Sequence, residues 1–427
     1  MIFINIFFSV AIFYTLAISI IKFLPAFGLC KNFKMNRECE SIGEDVSKKS
    51  MFKIFGIALT WRVILYIISL LSMILIFKFP EVTYQNFLKM WSRWDGERYV
   101  WLAKYGYGIP FEKETEFYNI AFFPLYPWLI RVLTLIIPSA EIAGMILSTL
   151  LYSGAMAFMY ALVAKDYGKK VAKLSLLLIS IAPFSFFFGS VMTESLFLFT
   201  TVLSWYLIKK KKWFLAALVG ALCAMSRVVG ILILIPYVIE IIENNSESFK
   251  NKKYKEFYTK CFKQGIWGII TILGLGIYLL LNYHYTGNPF KFLEYQRTFW
   301  THSFAYFGEG LQELCSKLFV NYIVLKEKIT FYGPQIISFA FSALLMAICC
   351  KRHKSAYTMY YVAYFIMVTS DMWYMSGGRF MLVIIPLYIM LAEKIKNNNL
   401  LIVGCMTLST LLYAIYSTYY FANWDIY

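Results

Sequence analysis

IFGIALTWRVILYIISLLSMILIFK, residues 54–78, decides the fold class. The run is apolar almost throughout and exceeds the roughly 20 residues a helix needs to cross a bilayer. Similar runs fall at 2–25, 141–164, 174–189, 195–208, 213–226, 229–240, 265–283, 331–350, 356–371, 379–395 and 400–421. Of the 427 residues, 60% are hydrophobic and 15% charged. A water-soluble domain would carry roughly a quarter charged residues. The chain is therefore expected to be an all-α, polytopic membrane protein of about 11–13 membrane helices, some short or re-entrant. No room is left for a large separate soluble domain.

Two apolar stretches need separate treatment. Residues 120–137 are interrupted by Pro124 and Pro127 and read as a helix lying partly in the interface or the protein interior. Residues 1–28 lack a basic leader and an A-x-A cleavage site, so they read as a retained helix.

The net charge of +17 is carried by short loops. Six Lys or Arg lie between Cys30 and Lys53, and six between Lys250 and Lys263. Lys165, Lys169, Lys170 and Lys173 form another group, Lys209 to Lys212 a fourth, and Lys351, Arg352 and Lys354 a fifth. This is the positive-inside pattern, and it assigns these loops to the cytoplasm. It also excludes a nucleic-acid partner, which would need a basic face on a folded polar surface. With these signs, 79–119, 284–330, Thr193-Glu194-Ser195 and the stretch from Asp371 to Arg379 come out exoplasmic. The segment 213–240 has basic loops at both flanks. It fits a hairpin of two short helices with its apex at Ser226 to Gly230, or one long tilted span. At an apex Arg227 escapes a lipid-facing cost of about 2.5 kcal/mol or more. The whole chain, 1–427, reads as one multispan unit. Within it, 1–52 form an extra helix and linker, 79–119 the catalytic segment and 284–330 a second exoplasmic segment.

The eight cysteines are scattered without a CxxC pair, and only three histidines are present, so no zinc site or other metal cofactor is expected. Chemistry is concentrated instead in Trp91 to Tyr107, WSRWDGERYVWLAKYGY. Asp95 is a carboxylate beside apolar surface, where it can act as a base. Trp94 and Trp101 suit a sugar face or an aromatic belt, and an ordinary interfacial helix is the plainer alternative. Glu194 sits at the mouth of two short spans, as a functional acid or a partner of Arg227 or Arg379. In Ser376-Gly377-Gly378-Arg379 the glycines permit close backbone approach. The arginine there suits a phosphate at a helix start, or is a plain interfacial residue.

These stretches resemble the PIG-V family of mannosyltransferases, within the GT-C class of multispan glycosyltransferases. The pattern runs through Trp94, Asp95, Tyr99, Leu102, Ala103, Gly106 and Tyr107, then Phe122 to Pro127, Thr193 to Ser195, Ser226-Arg227 with Gly230, and Ser376 with Arg379. The resemblance implies a GT-C fold in the cell membrane, an exoplasmic active site and Asp95 as the catalytic acid residue. It implies a polyprenyl- or dolichyl-phosphate sugar donor and a lipid-linked or cell-envelope glycan acceptor. Trp94, Arg98, Tyr99, Glu194, Arg227 and Arg379 are then expected to bind substrate. In the expected reaction Asp95 deprotonates the acceptor hydroxyl, the anomeric centre inverts, and Arg227 or Arg379 stabilises the leaving phosphate. The rival from another class is a transporter or lipid flippase, which would place ionisable groups near the midplane within paired repeats. A catalytically dead assembly protein is the third reading.

Overall fold

A computed structural model describes residues 2–29, 43, 45–76, 83–112, 114, 116–320, 323–372, 374 and 376–422. Cys30, Cys39, the basic residues between them and positions 79–82 lie outside the described residues. Among the described residues regular structure is helical, apart from one isolated bridge between Phe304 and Asp371. The all-α class expected from the sequence is the one found.

Helices α1 (Ile2–Phe23) and α2 (Lys48–Leu71) open the chain. Helices α3 (Tyr84–Trp91), α4 (Asp95–Tyr105) and α5 (Leu125–Leu133) follow. Then come α6 (Ala140–Ser180), α7 (Glu194–Lys209), α8 (Trp213–Ala224), α9 (Leu234–Lys250), α10 (Tyr254–Gly265) and α11 (Gly268–Thr286). The rest are α12 (Lys291–Trp300), α13 (Glu309–Leu318), α14 (Leu325–Glu327), α15 (Gly333–Cys349), α16 (Ser355–Thr369), α17 (Gly377–Leu382), α18 (Ile385–Ile395) and α19 (Asn399–Phe421). Their starts follow from local chemistry. Ser47, Thr83, Ser139 and Asn398 each accept a backbone N–H three residues on, which satisfies one free donor of the helix end.

Among the described residues seven helical stretches are long and apolar enough to cross a membrane: Phe3–Phe27, Lys48–Ile76, Ala140–Ser180, Val228–Lys250, Tyr254–Thr286, Leu325–Cys349 and Asn399–Phe421. Several other apolar runs form shorter helices, and α7, α16 and α18 have 16, 15 and 11 residues. Ala140–Ser180 is itself a hairpin. Gly168 leaves the helical region at φ 85°, ψ 162°, and Tyr152 comes back to within 2.8 Å of Ser180, hydroxyl to hydroxyl. The run 174–189 does not continue as helix. It stops at Ser180, because Pro183 offers no N–H and turns the preceding residue away from helical geometry. The segment 213–240 is the expected hairpin. Arg227 is extended at its apex (φ −158°, ψ 147°), and the Tyr237 hydroxyl reaches back to the Trp213 carbonyl at 3.4 Å.

The segments read as loops at 79–119 and 284–330 are largely helical, and they pack on each other. Tyr118 meets Tyr295 at 4.8 Å and Phe299 at 3.6 Å between ring centres.

Charged groups gather at two places. Asp166 takes Lys354 at 2.7 Å and Lys209 at 3.1 Å, and Lys209 also pairs with Glu240. Nearby, Asp45 pairs with Lys210 at 2.9 Å and Lys165 at 3.9 Å. Lys210 and Lys165 hold the exposed Asp45 carboxyl below its usual range. The basic loops around 165, 209–212 and 354 therefore share one end of the bundle. The second cluster surrounds Glu194. Glu194 opens α7 and Lys209 closes it, so the two clusters lie at opposite ends of a helix of 16 residues, about 24 Å long.

Candidate active site

Asp95 is positioned by a tight turn. Helix α3 ends at Trp91, whose fully buried ring donates to Ser69 at 3.2 Å and whose carbonyl accepts Val191 N–H at 2.9 Å. Three residues later Trp94 adopts φ 55°, ψ −119°, a conformation a bulky side chain rarely takes. The Arg93 guanidinium holds it there, stacking 4.3 Å from the Trp94 ring centre and 4.5 Å from that of Tyr420 while donating to the Tyr420 carbonyl at 3.0 Å. Tyr420 in turn donates to the Met90 carbonyl at 2.9 Å. The end of α19 thus clamps the turn from which Asp95 starts α4, where a carboxylate is favoured by the helix dipole. Gly96 lets the backbone pass the Val191 carbonyl, from which a Cβ would stand 3.1 Å.

Arg379 joins the acids. Its Nη1 donates to Asp95 Oδ2 at 3.0 Å and its Nε to Glu194 Oε1 at 2.8 Å. Arg227 Nη2 reaches the same Glu194 oxygen at 2.7 Å, and its Nε donates to the Thr193 hydroxyl at 2.9 Å. Two carboxylates thus face two guanidinium groups, a balanced set that tolerates burial as no single charge would. Side-chain exposure distinguishes them: 35% for Asp95, 15% for Arg227, 6% for Arg379 and none for Glu194. Asp95 is the most exposed of the four. Two buried atoms, Glu194 Oε2 and Arg227 Nη1, have no hydrogen-bond partner among the described residues.

The sequence-derived residues divide accordingly. Asp95, Glu194, Arg227 and Arg379 come together from α4, α7, the apex after α8, and α17. Arg379 is not a free phosphate ligand at a helix start. Its helix has six residues, and both acids already hold its guanidinium. Arg98 is taken up by Glu114 at 2.6 and 3.1 Å and by Asn119 at 3.0 Å. Tyr99 is buried edge-on between Phe122 and Tyr126, each 5.3 Å away. Trp94 packs on Phe187 and Tyr420 and shapes the turn. Sequence reasoning missed Arg93 and Tyr420. An arginine between two tryptophans was a signal, but nothing marked a tyrosine 327 residues away.

A sequence profile described as dolichyl-phosphate-mannose-protein mannosyltransferase matches residues 123–262. That stretch carries Glu194 and Arg227 but neither Asp95 nor Arg379. The match supports a membrane glycosyltransferase of the GT-C class. No curated protein matches the chain. Among solved structures, the oligosaccharyltransferase of Archaeoglobus fulgidus, crystallised with a tethered acceptor peptide, is similar over 88% of this chain and 55% of its own, at 11% identity and a TM-score of 0.38. This chain spans about half the length of that protein.

Proposed function

We propose that the protein transfers a hexose, in the manner of PIG-V mannosyltransferases, from a polyprenyl-phosphate donor to a lipid-linked or cell-envelope glycan on the exoplasmic face of the cell membrane. The observation that carries this reading is Asp95, a half-open carboxylate at the edge of an otherwise buried charge-balanced cluster. Arg379 occupies Oδ2, and Oδ1 has no partner among the described residues. Oδ1 takes the proton from the acceptor hydroxyl. The hydroxyl oxygen bonds to the anomeric carbon from one face as the bond to the phosphate oxygen breaks on the other. The electron pair leaves with the lipid phosphate and configuration inverts. A base of this kind contributes about 10²–10⁴-fold.

The cation left for the phosphate is Arg227, whose Nη1 has no hydrogen-bond partner among the described residues, rather than Arg379. Glu194 holds both guanidinium groups in place. No metal enters the scheme, because both carboxylates already face arginine. The exoplasmic side follows from the basic loops at the far end of α7.

The test is direct. Purified protein is incubated with radiolabelled polyprenyl-phosphate mannose or glucose and a membrane extract as acceptor. Label should pass to the extract, and Asp95→Asn should abolish the transfer. Movement of the donor lipid across vesicles without transfer, unchanged in Asp95→Asn, would establish the flippase reading instead.

A further inference from the structure

We infer that Asn119 selects the acceptor: its amide Nδ2 donates to a hydroxyl of the acceptor sugar, one sugar ring from Asp95. The inference rests on the transfer reading above and adds a specificity-determining residue to it.

Asn119 lies in the short turn Tyr118–Ala121 and is 1% exposed. The backbone around it is pinned from two sides. The Tyr278 hydroxyl donates to the Ile120 carbonyl and the Tyr107 hydroxyl to the Phe122 carbonyl, each at 2.8 Å. One end of the amide is spent. Its Oδ1 accepts from Arg98 Nη1 at 3.0 Å, and Glu114 fixes that guanidinium at 2.6 and 3.1 Å. The flipped amide would set donor against donor, so Oδ1 faces Arg98 and Nδ2 is the end left over. Nδ2 is buried and has no hydrogen-bond partner among the described residues. A buried donor without an acceptor is costly, and a ligand oxygen removes that cost.

The surroundings specify the ligand. Arg98 follows Asp95 by three residues on α4, which puts their Cβ atoms about 5–6 Å apart on one face. Asn119, bonded to Arg98, is therefore within a sugar's width of the base. The neighbouring walls are flat rings. The Arg98 guanidinium lies 4.6 Å from the Phe111 ring centre and 5.8 Å from that of the half-buried Trp300. Aromatic surface beside one fixed polar donor suits a pyranose, with ring carbons on the aromatic face and a hydroxyl on the amide. Arg98 is already neutralised by Glu114, so the place favours a neutral hydroxyl over a phosphate. The phosphate goes to Arg227 in the scheme above, which leaves this side of Asp95 to the acceptor.

The test measures initial rates of label transfer from polyprenyl-phosphate mannose or glucose by the full-length protein. The membrane-extract acceptor is varied at saturating donor, then the donor at saturating acceptor. Asn119→Asp keeps the shape but puts an acceptor oxygen where Nδ2 was. It should raise the acceptor KM about tenfold or more and leave the donor KM unchanged. Should Asn119→Asp not fold, Asn119→Ala should raise the same KM. A rise confined to the donor KM would overturn the inference. Unchanged constants would mean that water satisfies Nδ2, and would overturn it while the transfer reading stood. If the parent protein moves no label, saturation-transfer NMR with methyl α-mannoside or methyl α-glucoside decides. Binding that is lost in Asn119→Asp would uphold the sugar contact and defeat the transfer reading. Absence of binding would defeat both.

Discussion

Asp95 and Glu194 are both held by Arg379, at 3.0 and 2.8 Å, yet only Asp95 is open to solvent. The two acids should therefore fail differently. Asp95→Asn keeps shape and one acceptor oxygen but removes the base. Turnover is expected to fall about 10²-fold or more, with the melting temperature and donor binding nearly unchanged. Glu97→Gln is the control. It lies two residues on, about 200° around the helix, and makes no ion pair among the described residues, so activity should persist. A dispensable Asp95 with an essential Glu97 would mean that the catalytic register was misread. Glu194→Gln, by contrast, leaves two buried guanidinium groups without their shared anion. It should cost about 3–5 kcal/mol, read as a large drop in melting temperature in detergent. A Glu194→Gln protein that melts like the parent but is inactive would move Glu194 from a holding to a catalytic role. The sequence exposed the four charged residues because ionisable groups beside apolar runs are costly and so conspicuous. It offered Glu194 as a partner of Arg227 or Arg379, and both contacts are found; it did not expose the pair between Arg379 and Asp95, which lie 284 residues apart.

At the scale of elements, charge proved a better guide than hydropathy. The hairpin over 213–240 was legible because basic loops at both flanks require an even number of crossings. The turn at Gly168 was partly so, from the lysines around it. The break at 181–193 was not, because its residues are as apolar as a span and only Pro183 interrupts them. Hydropathy also could not show that 79–119 and 284–330 fold into helices, since their cohesion is aromatic packing between distant rings. The apex after α8 yields a prediction. A Cβ at Gly230 would lie 2.2 Å from the Cys223 carbonyl, which is backbone and cannot move aside. Gly230→Ala should therefore cost about 1–3 kcal/mol and shift Arg227 off Glu194. Thermal melting and sugar transfer should fall together. A variant with unchanged melting would show that the two arms of the hairpin are not in contact there.

For the molecule as a whole, the separation of its two charged clusters sets its orientation. The cluster of Asp166, Lys209 and Lys354 and that of Asp95, Glu194 and Arg379 lie at opposite ends of α7, a helix about 24 Å long. A bilayer core is about 30 Å thick, so each cluster lies toward a different face. If lysine and arginine in short loops stay cytoplasmic, as the proposed function requires, the Asp95 cluster is expected outside. Cysteine labelling checks this in a chain whose eight cysteines are replaced by serine. Ile109→Cys is near the catalytic end and Lys212→Cys at the basic end, both exposed. A membrane-impermeant maleimide added to intact cells should label position 109 at once and position 212 only after the membrane is opened. The reverse pattern would put Asp95 on the cytoplasmic face. The donor would then be drawn from the inner leaflet, and the exoplasmic part of the proposed function would fall while its chemistry stood. Labelling of both positions in intact cells would mean that α7 does not separate the two faces. The bundle would then lie differently in the membrane, and the basic loops would have to be held outside by forces other than those that normally orient a polytopic protein.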